Sequence, residues 1–217
     1  MCIITILGSC RQDSIYESHH VTSVKNNISY PHYTKEILEV IRFCKYGTAT
    51  PDDTIFMFRS AILTQQPIYH NSCIADEFNS SDIYFVEIAS RKTYKYNNRY
   101  VHHILHDHQF KTGVEIGDMS DDEIENDICD MVKELGREKL IIVGHIVTYN
   151  SGSRYELLQL LERLCAKHNI MFLNPISCLI RKGYNIQSLL LDNEHYNSKG
   201  HQLIGEIYNE YILRGTS

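Results

Sequence analysis

The chain has 217 residues, a net charge of −6, and seven cysteines without regular spacing or a C-x-x-C pair. That length suits one large domain, or a domain with an insertion, able to bury its own core without disulfide or metal staples. The acidic balance gives no footprint for nucleic acid, no apolar run reaches the length of a membrane span, and the cysteines read as reduced thiols.

Residues 2–7 form a short apolar run that enters the chain without a basic flank or a small-residue cleavage site, so a cytoplasmic protein is expected. The run reads as a buried, parallel strand, and Gly8 lets the chain turn where it ends. Residues 18–33 are polar and irregular, with a short strand over 21–24. Ile37, Leu38, Ile41 and Cys44 recur at helical spacing, and Gly47 reads as the stop. After a turn, residues 54–58 form an apolar run of either type, and residues 61–70 read as a helix interrupted by Pro67. Residues 82–89 are a second strand. Residues 93–118 are rich in Tyr, His and Asn, with poor periodicity, and read as a loop-rich insertion or lid spanning about 91–119. Ser120 and Glu123 form a capping box that opens a helix ending at Gly136. A third strand over 139–147, a helix over 153–168 and a fourth strand over 169–174 follow. Residues 176–191 read as a loop leading to Asp192, and an amphipathic helix covers 202–213.

Strands separated by helices of these lengths predict a single α/β domain over residues 1–217. It is expected to be a three-layer α/β/α sandwich with a central parallel sheet. In such sheets ligands bind beyond the carboxyl ends of the strands, where Ser9, Cys10, Ser90, Arg91, His145, Asp192 and His195 would gather.

Two stretches carry more specific information. Ile6-Leu7-Gly8-Ser9-Cys10 resembles the first block of the SGNH (GDSL-type) hydrolase superfamily, a buried strand followed by Gly-Asp-Ser. Asp192-x-x-His195, continued by Asn197 and Gly200-His201-Gln202-Leu203-Ile204, resembles its last block. The resemblance implies a flavodoxin-like SGNH hydrolase fold with Asp192 and His195 completing a catalytic triad. Aligned on glycine, Cys10 takes the place of the nucleophilic serine; aligned on serine, Ser9 does. The glycine register keeps the strand end in place and resembles the Gly-Ser-Cys branch associated with polysaccharide biosynthesis. The family's third block, Gly-x-Asn-Asp, is replaced by Ile88-Ala89-Ser90-Arg91-Lys92, and no glycine is assigned to its second block.

The chemistry follows from the residue types. A thiol or hydroxyl attacks an acyl carbon once a base takes its proton, which would be the role of His195, oriented by Asp192. Backbone N–H groups near Cys10, with Ser90 or Arg91, would stabilise the oxyanion. Arg91 and Lys92 could instead hold an anionic group on the substrate or donor. The plainer alternatives are a buried structural Cys10, a strand-end Ser9 bonded to backbone, a helix-start Asp192, a surface His195 and a solvated Arg91–Lys92 pair. His102 and His106 have the i, i+4 spacing of metal ligands, but no helical pattern surrounds them, and no metal is expected. His145, after a strand, reads as a core or site-edge residue. Three functions remain open. One is an esterase or O-deacetylase acting on a small-molecule or glycan acyl ester without a cofactor. Another is an acyltransferase using a coenzyme A thioester. The third is a non-catalytic relative that binds a glycan or a partner.

Overall fold

The computed structural model describes residues 2–9, 11–12, 20–192 and 195–215. In chain order its first half holds β1 (Ile3–Leu7), β2 (His20–Val21), α1 (Val24–Asn27), α2 (Thr34–Tyr46), α3 (Pro51–Met57), α4 (Arg59–Thr64), α5 (Ser72–Asn79) and β3 (Ile83–Ile88). Then come β4 (Lys92–Tyr96), β5 (Arg99–Tyr100), α6 (Ile104–Asp107), β6 (Glu115–Asp118), α7 (Asp121–Leu135) and β7 (Leu140–Gly144). The chain closes with α8 (Ser153–His168), β8 (Met171–Leu173), α9 (Pro175–Arg181) and α10 (Ser198–Gly215).

Five strands form a parallel sheet in the order β2-β1-β3-β7-β8. Counting only these strands, the order is 2-1-3-4-5, the flavodoxin-like arrangement, and its reversal point lies between β1 and β3. Every residue of β3 and β7 is buried, as expected of strands covered on both faces. Alternation along the strands divides the core in two. One face carries Leu7, Tyr84, Val86 and Ile142 against α2, α7 and α8. The other carries Ile4, Ile6, Phe85 and Val143 against α9 and α10. The result is the three-layer α/β/α sandwich expected from the sequence.

Several local readings change. The insertion is not a loop: β5-β4-β6 form a small antiparallel sheet. Its hairpin turns at Asn97 and Asn98, both at positive φ, the conformation that a two-residue type I′ turn needs and Asn tolerates. The Tyr33 hydroxyl ties this sheet to the body, donating to the carbonyl of Val101 at 2.7 Å. The supposed loop over 176–191 begins with α9. Pro175 does end the preceding strand, but it also sits in the first turn of a helix, where its missing N–H costs nothing, and Asn174 caps the turn through Ser177. Residues 72–79 form α5, capped by Asn71, where no helix is predicted. The short strand near 21–24 is only His20–Val21, and α4 ends at Thr64, before Pro67. The six described cysteines are free thiols. No helix among the described residues is long and apolar enough to cross a membrane.

Candidate functional site

The carboxyl ends of β1, β3 and β7 meet around one buried carboxylate. Leu7 pairs with Val86, which brings Gly8 level with Glu87. A Cβ at Gly8 would fall 2.7 Å from the Cβ of Glu87, so the glycine makes room for that side chain. Glu87 points to the same face as Ile83 and Phe85, toward α10. Its Oε2 accepts the Ser9 backbone N–H at 2.8 Å and the Ser9 hydroxyl at 2.5 Å. Its Oε1 lies 3.1 Å from Nδ1 of His145, one residue beyond β7. The Arg11 guanidinium donates to Ser9 Oγ at 2.9 Å.

Glu87, Ser9 and His145 are all more than nine-tenths buried. Burial works to raise the pKa of Glu87, but the hydrogen bond from His145, the Arg11 guanidinium and the Ser9 hydroxyl outweigh it and hold the carboxyl below its usual range. Burial lowers the pKa of His145 against the pull of Glu87. The two directions are compatible when the imidazole is neutral and the carboxylate ionised. Nδ1–H then donates to Glu87, supported by the serine and arginine donors, and Nε2 carries a lone pair. That Nε2 is buried without a hydrogen-bond partner among the described residues.

His145 lines a cavity of about 510 Å³. Its wall also includes Arg11 after β1, Ala89 to Arg91 after β3, His32, and Arg154 at the start of α8. It therefore opens beside the reversal point of the sheet, where ligands of such folds bind. His32, packed below the insertion, has its pKa pushed by burial down to about 3, and its Nδ1 has no partner among the described residues.

The Asp192–His195 pair is formed but lies elsewhere. Asp192 Oδ1 accepts the His195 backbone N–H at 2.8 Å, and Nδ1 of His195 lies 3.0 and 2.9 Å from the two carboxylate oxygens. This binds the ring through Nδ1 and turns Nε2 away from the carboxylate. Both side chains are about half exposed. The surrounding motif residues build the turn that presents them. Asn197 caps α10 by accepting the Gly200 N–H at 3.0 Å, and a Cβ at Gly200 would collide with the Leu189 carbonyl oxygen. None of the described residues between 190 and 197 lines the cavity. The two regions come together through Tyr196, which is buried and feels the charges of Glu87 and Arg11.

Cys10 lies outside the described residues, while both its chain neighbours, Ser9 and Arg11, belong to the buried cluster. Ser90 and Arg91 line the cavity as expected for the strand edge, but each is engaged. Ser90 Oγ accepts the Lys92 N–H at 2.9 Å, and Arg91 pairs with Asp121 at 2.6 Å. Among the histidines, His32, His102 and His103 approach one another closely enough for their nitrogens to share an ion. His102, however, has one ring nitrogen 3.1 Å from the Tyr30 carbonyl, and the other accepts the Ile104 N–H. The remaining two imidazoles fall short of the three or four protein ligands of a zinc site. His106, on the short α6, is not part of this group.

Glu87, His32 and Arg154 were not singled out from the sequence. For Glu87 a signal existed: a carboxylate inside Ile83-Tyr84-Phe85-Val86-Glu87-Ile88-Ala89 has to be buried, and a buried charge needs partners. His32 and Arg154 sit in stretches whose spacing carries no such signal.

No family model and no curated protein matches the chain. Among solved structures it is similar to a lipase/acylhydrolase from Enterococcus faecalis at 13% identity, covering 98% of this chain and 95% of that one with a TM-score of 0.49. It is also similar to LAE5, an alpha/beta hydrolase from the metagenome of Lake Arreo, at 13% identity, 95% and 93% coverage and a TM-score of 0.43. A third similarity is to a protein described as a GDSL-like lipase, from Parabacteroides merdae, at 12% identity, 96% and 94% coverage and a TM-score of 0.39.

Proposed function

We propose that this protein is an acyl-ester hydrolase of the SGNH type, an esterase or O-deacetylase, with Cys10 as nucleophile, His195 as general base and Asp192 as the residue that orients it. The observation that carries this reading is the Asp192–His195 hydrogen bond. It occupies Nδ1 and leaves Nε2 turned outward to accept a proton, the arrangement a triad histidine needs. Ser9 is a poor rival as nucleophile. Its hydroxyl proton is directed at Glu87, and a carboxylate held at low pKa is a weak base.

In this mechanism Nε2 of His195 removes the Cys10 proton as the sulfur bonds to the ester carbonyl carbon. The negative charge moves to the carbonyl oxygen and returns to expel the alkoxide, which takes the proton from His195. A water, deprotonated by the same nitrogen, then releases the acid from the thioester and restores the thiol. A donor for the oxyanion comes from the Ser90 hydroxyl, whose oxygen already accepts Lys92 and whose proton remains to be given, since the Arg11 and Gln12 N–H groups are turned to Ser9. A glycan ester suits the charged and hydroxyl side chains that line the cavity at Arg11, the residue that follows Cys10 in the chain. The same cavity supports a second reading, transfer of the acyl group from a coenzyme A thioester onto a sugar hydroxyl, since an acceptor enclosed beside Arg11 competes with water.

The test is intact-mass spectrometry after incubation with p-nitrophenyl acetate. One acetyl group is expected on the parent protein and on Ser9→Ala, and none on Cys10→Ala or His195→Ala. An adduct that survives Cys10→Ala would refute the nucleophile, and no adduct in the parent would favour a binding relative without catalysis. Thermal protection by coenzyme A would turn the reading from hydrolysis to transfer.

A further inference from the structure

The cavity beside Arg11 has three features that the acyl chemistry leaves unused. The first is a buried base. His145 is 4% exposed, and its Nδ1 is committed to Glu87, so its Nε2 presents a lone pair with no partner among the described residues. A buried acceptor left unsatisfied is unfavourable, and a ligand hydroxyl donating to it would relieve that cost. The second is charge. Among the described residues, Arg11, Arg91, Lys92 and Arg154 line the cavity together with Asp107 and Asp118; Arg91 also pairs with Asp121 at 2.6 Å and Asp107 with His103 at 2.7 Å. The third is backbone. The cavity reaches Ser153 and Arg154 at the start of the 16-residue α8, whose cap position is Gly152 and provides no side-chain capping bond. N–H groups of an uncapped first turn favour an anion.

A lone-pair acceptor calls for a donor on the ligand, and the cations with the open helix start call for negative charge. A neutral sugar answers only the first demand and inorganic phosphate mainly the second. We propose that this cavity binds a monosaccharide-sized anion, a sugar phosphate or sugar acid, whose charged group sits between Arg154, Lys92 and the first turn of α8 while one of its hydroxyls donates to Nε2 of His145. At about 510 Å³ the space is at the lower end for small-ligand sites, enough for one sugar ring and its charged substituent. Glu87 fixes the imidazole tautomer that makes Nε2 an acceptor, so it acts as a positioning residue. The site does not depend on Cys10 or His195, and its binding is measurable whether or not the protein forms an acyl adduct.

Isothermal titration calorimetry on the full chain tests this with glucose 6-phosphate, galactose 1-phosphate, glucuronate and galacturonate as probes, and with glucose and inorganic phosphate as controls. At least one anionic sugar is expected to bind saturably with one site per chain, about tenfold or more tighter than both controls. Arg154→Ala, a change at the rim, is expected to weaken that binding by about tenfold or more. His145→Ala is expected to bring the anionic sugar down to the affinity of inorganic phosphate. Should His145→Ala fail to fold, a Lys92→Ala/Arg154→Ala double variant carries the test of the anion contacts. The proposal is overturned if no probe binds saturably in the millimolar range, if glucose binds as tightly as its phosphate, or if Arg154→Ala leaves the affinity unchanged.

Discussion

The side chain of Glu87 occupies the space that a side chain on Gly8 would fill. A Cβ there would lie 2.7 Å from the Glu87 Cβ and 3.1 Å from its Oε2. The glycine that ends β1 and the carboxylate that receives Ser9 are one piece of construction, built from residues 79 apart in the chain. Gly8→Ala is therefore expected to destabilise the protein by roughly 1–3 kcal/mol, as overpacking does, because the obstacle begins at a Cβ on a central strand and cannot swing aside. A urea midpoint unchanged from the parent would count against this packing.

Glu87 gathers the Ser9 N–H, the Ser9 hydroxyl and His145, with Arg11 supplying charge. Removing only the carboxylate leaves those donors buried and unpaired. Glu87→Leu is expected to cost on the order of 3–5 kcal/mol. Glu87→Gln, which keeps an acceptor oxygen, is expected to cost less. The ordering of the two variants in chemical denaturation checks the claim, and a more stable Leu variant would contradict it.

Glu36 gives a pH dependence of defined sign. Its Oε2 accepts the His32 N–H at 2.9 Å, its Oε1 has no partner among the described residues, and burial raises its pKa to about 8. The ordinary value of a glutamate is 4.5, so between 4.5 and about 8 the folded protein holds a proton that the unfolded chain has released. Stability from this residue is complete below that window and is lost as pH rises through it, by roughly 1.4 kcal/mol per unit at most. His32, pushed down to about 3 from 6.5, acts with the opposite sign below 6.5. The effect of Glu36 is thus best isolated from pH 6.5 to 8, where Tm is expected to fall in the parent and to flatten in Glu36→Gln. Equal slopes in the two proteins would reject the assignment.

The exposed dyad is expected to govern chemistry with little effect on stability. Asp192 and His195 are both about half exposed, and surface pairs contribute only about 0–1 kcal/mol. His195→Ala should keep a near-parental urea midpoint and slow acylation by p-nitrophenyl acetate about 10²–10⁴-fold. Asp192→Asn should slow it less than His195→Ala while leaving the imidazole in place. An unchanged acylation rate in His195→Ala would remove it as the base.

The Asp192–His195 geometry was readable because it is local. Three residues of chain suffice to bring that carboxylate to both the ring and the backbone of His195, and Asn197 with Gly200 closes the turn within one helical turn. Ser120 and Glu123 were readable for the same reason and form the expected capping box. Ser9 illustrates the opposite case. Nothing near it in the chain shows that its hydroxyl would meet a carboxylate from β3. The hairpin at Asn97-Asn98 and the α9 start at Asn174-Pro175 had local signals, but each was masked by aromatic or loop-like surroundings.

By itself the sequence determined the alternation of apolar strands and amphipathic helices, hence a parallel sheet covered on both faces, because burial periodicity and caps act over a few residues. It also determined the turn that joins Asp192 to His195. Only the tertiary structure decided the strand order, the joining of Ser9, Glu87, His145 and Arg11 into one buried cluster, and the placement of the cavity beside that cluster and away from Asp192 and His195. Those contacts join residues whose separation in the chain is large. They are set by which strands lie side by side, a choice made by packing of the whole core and written in no single stretch of it.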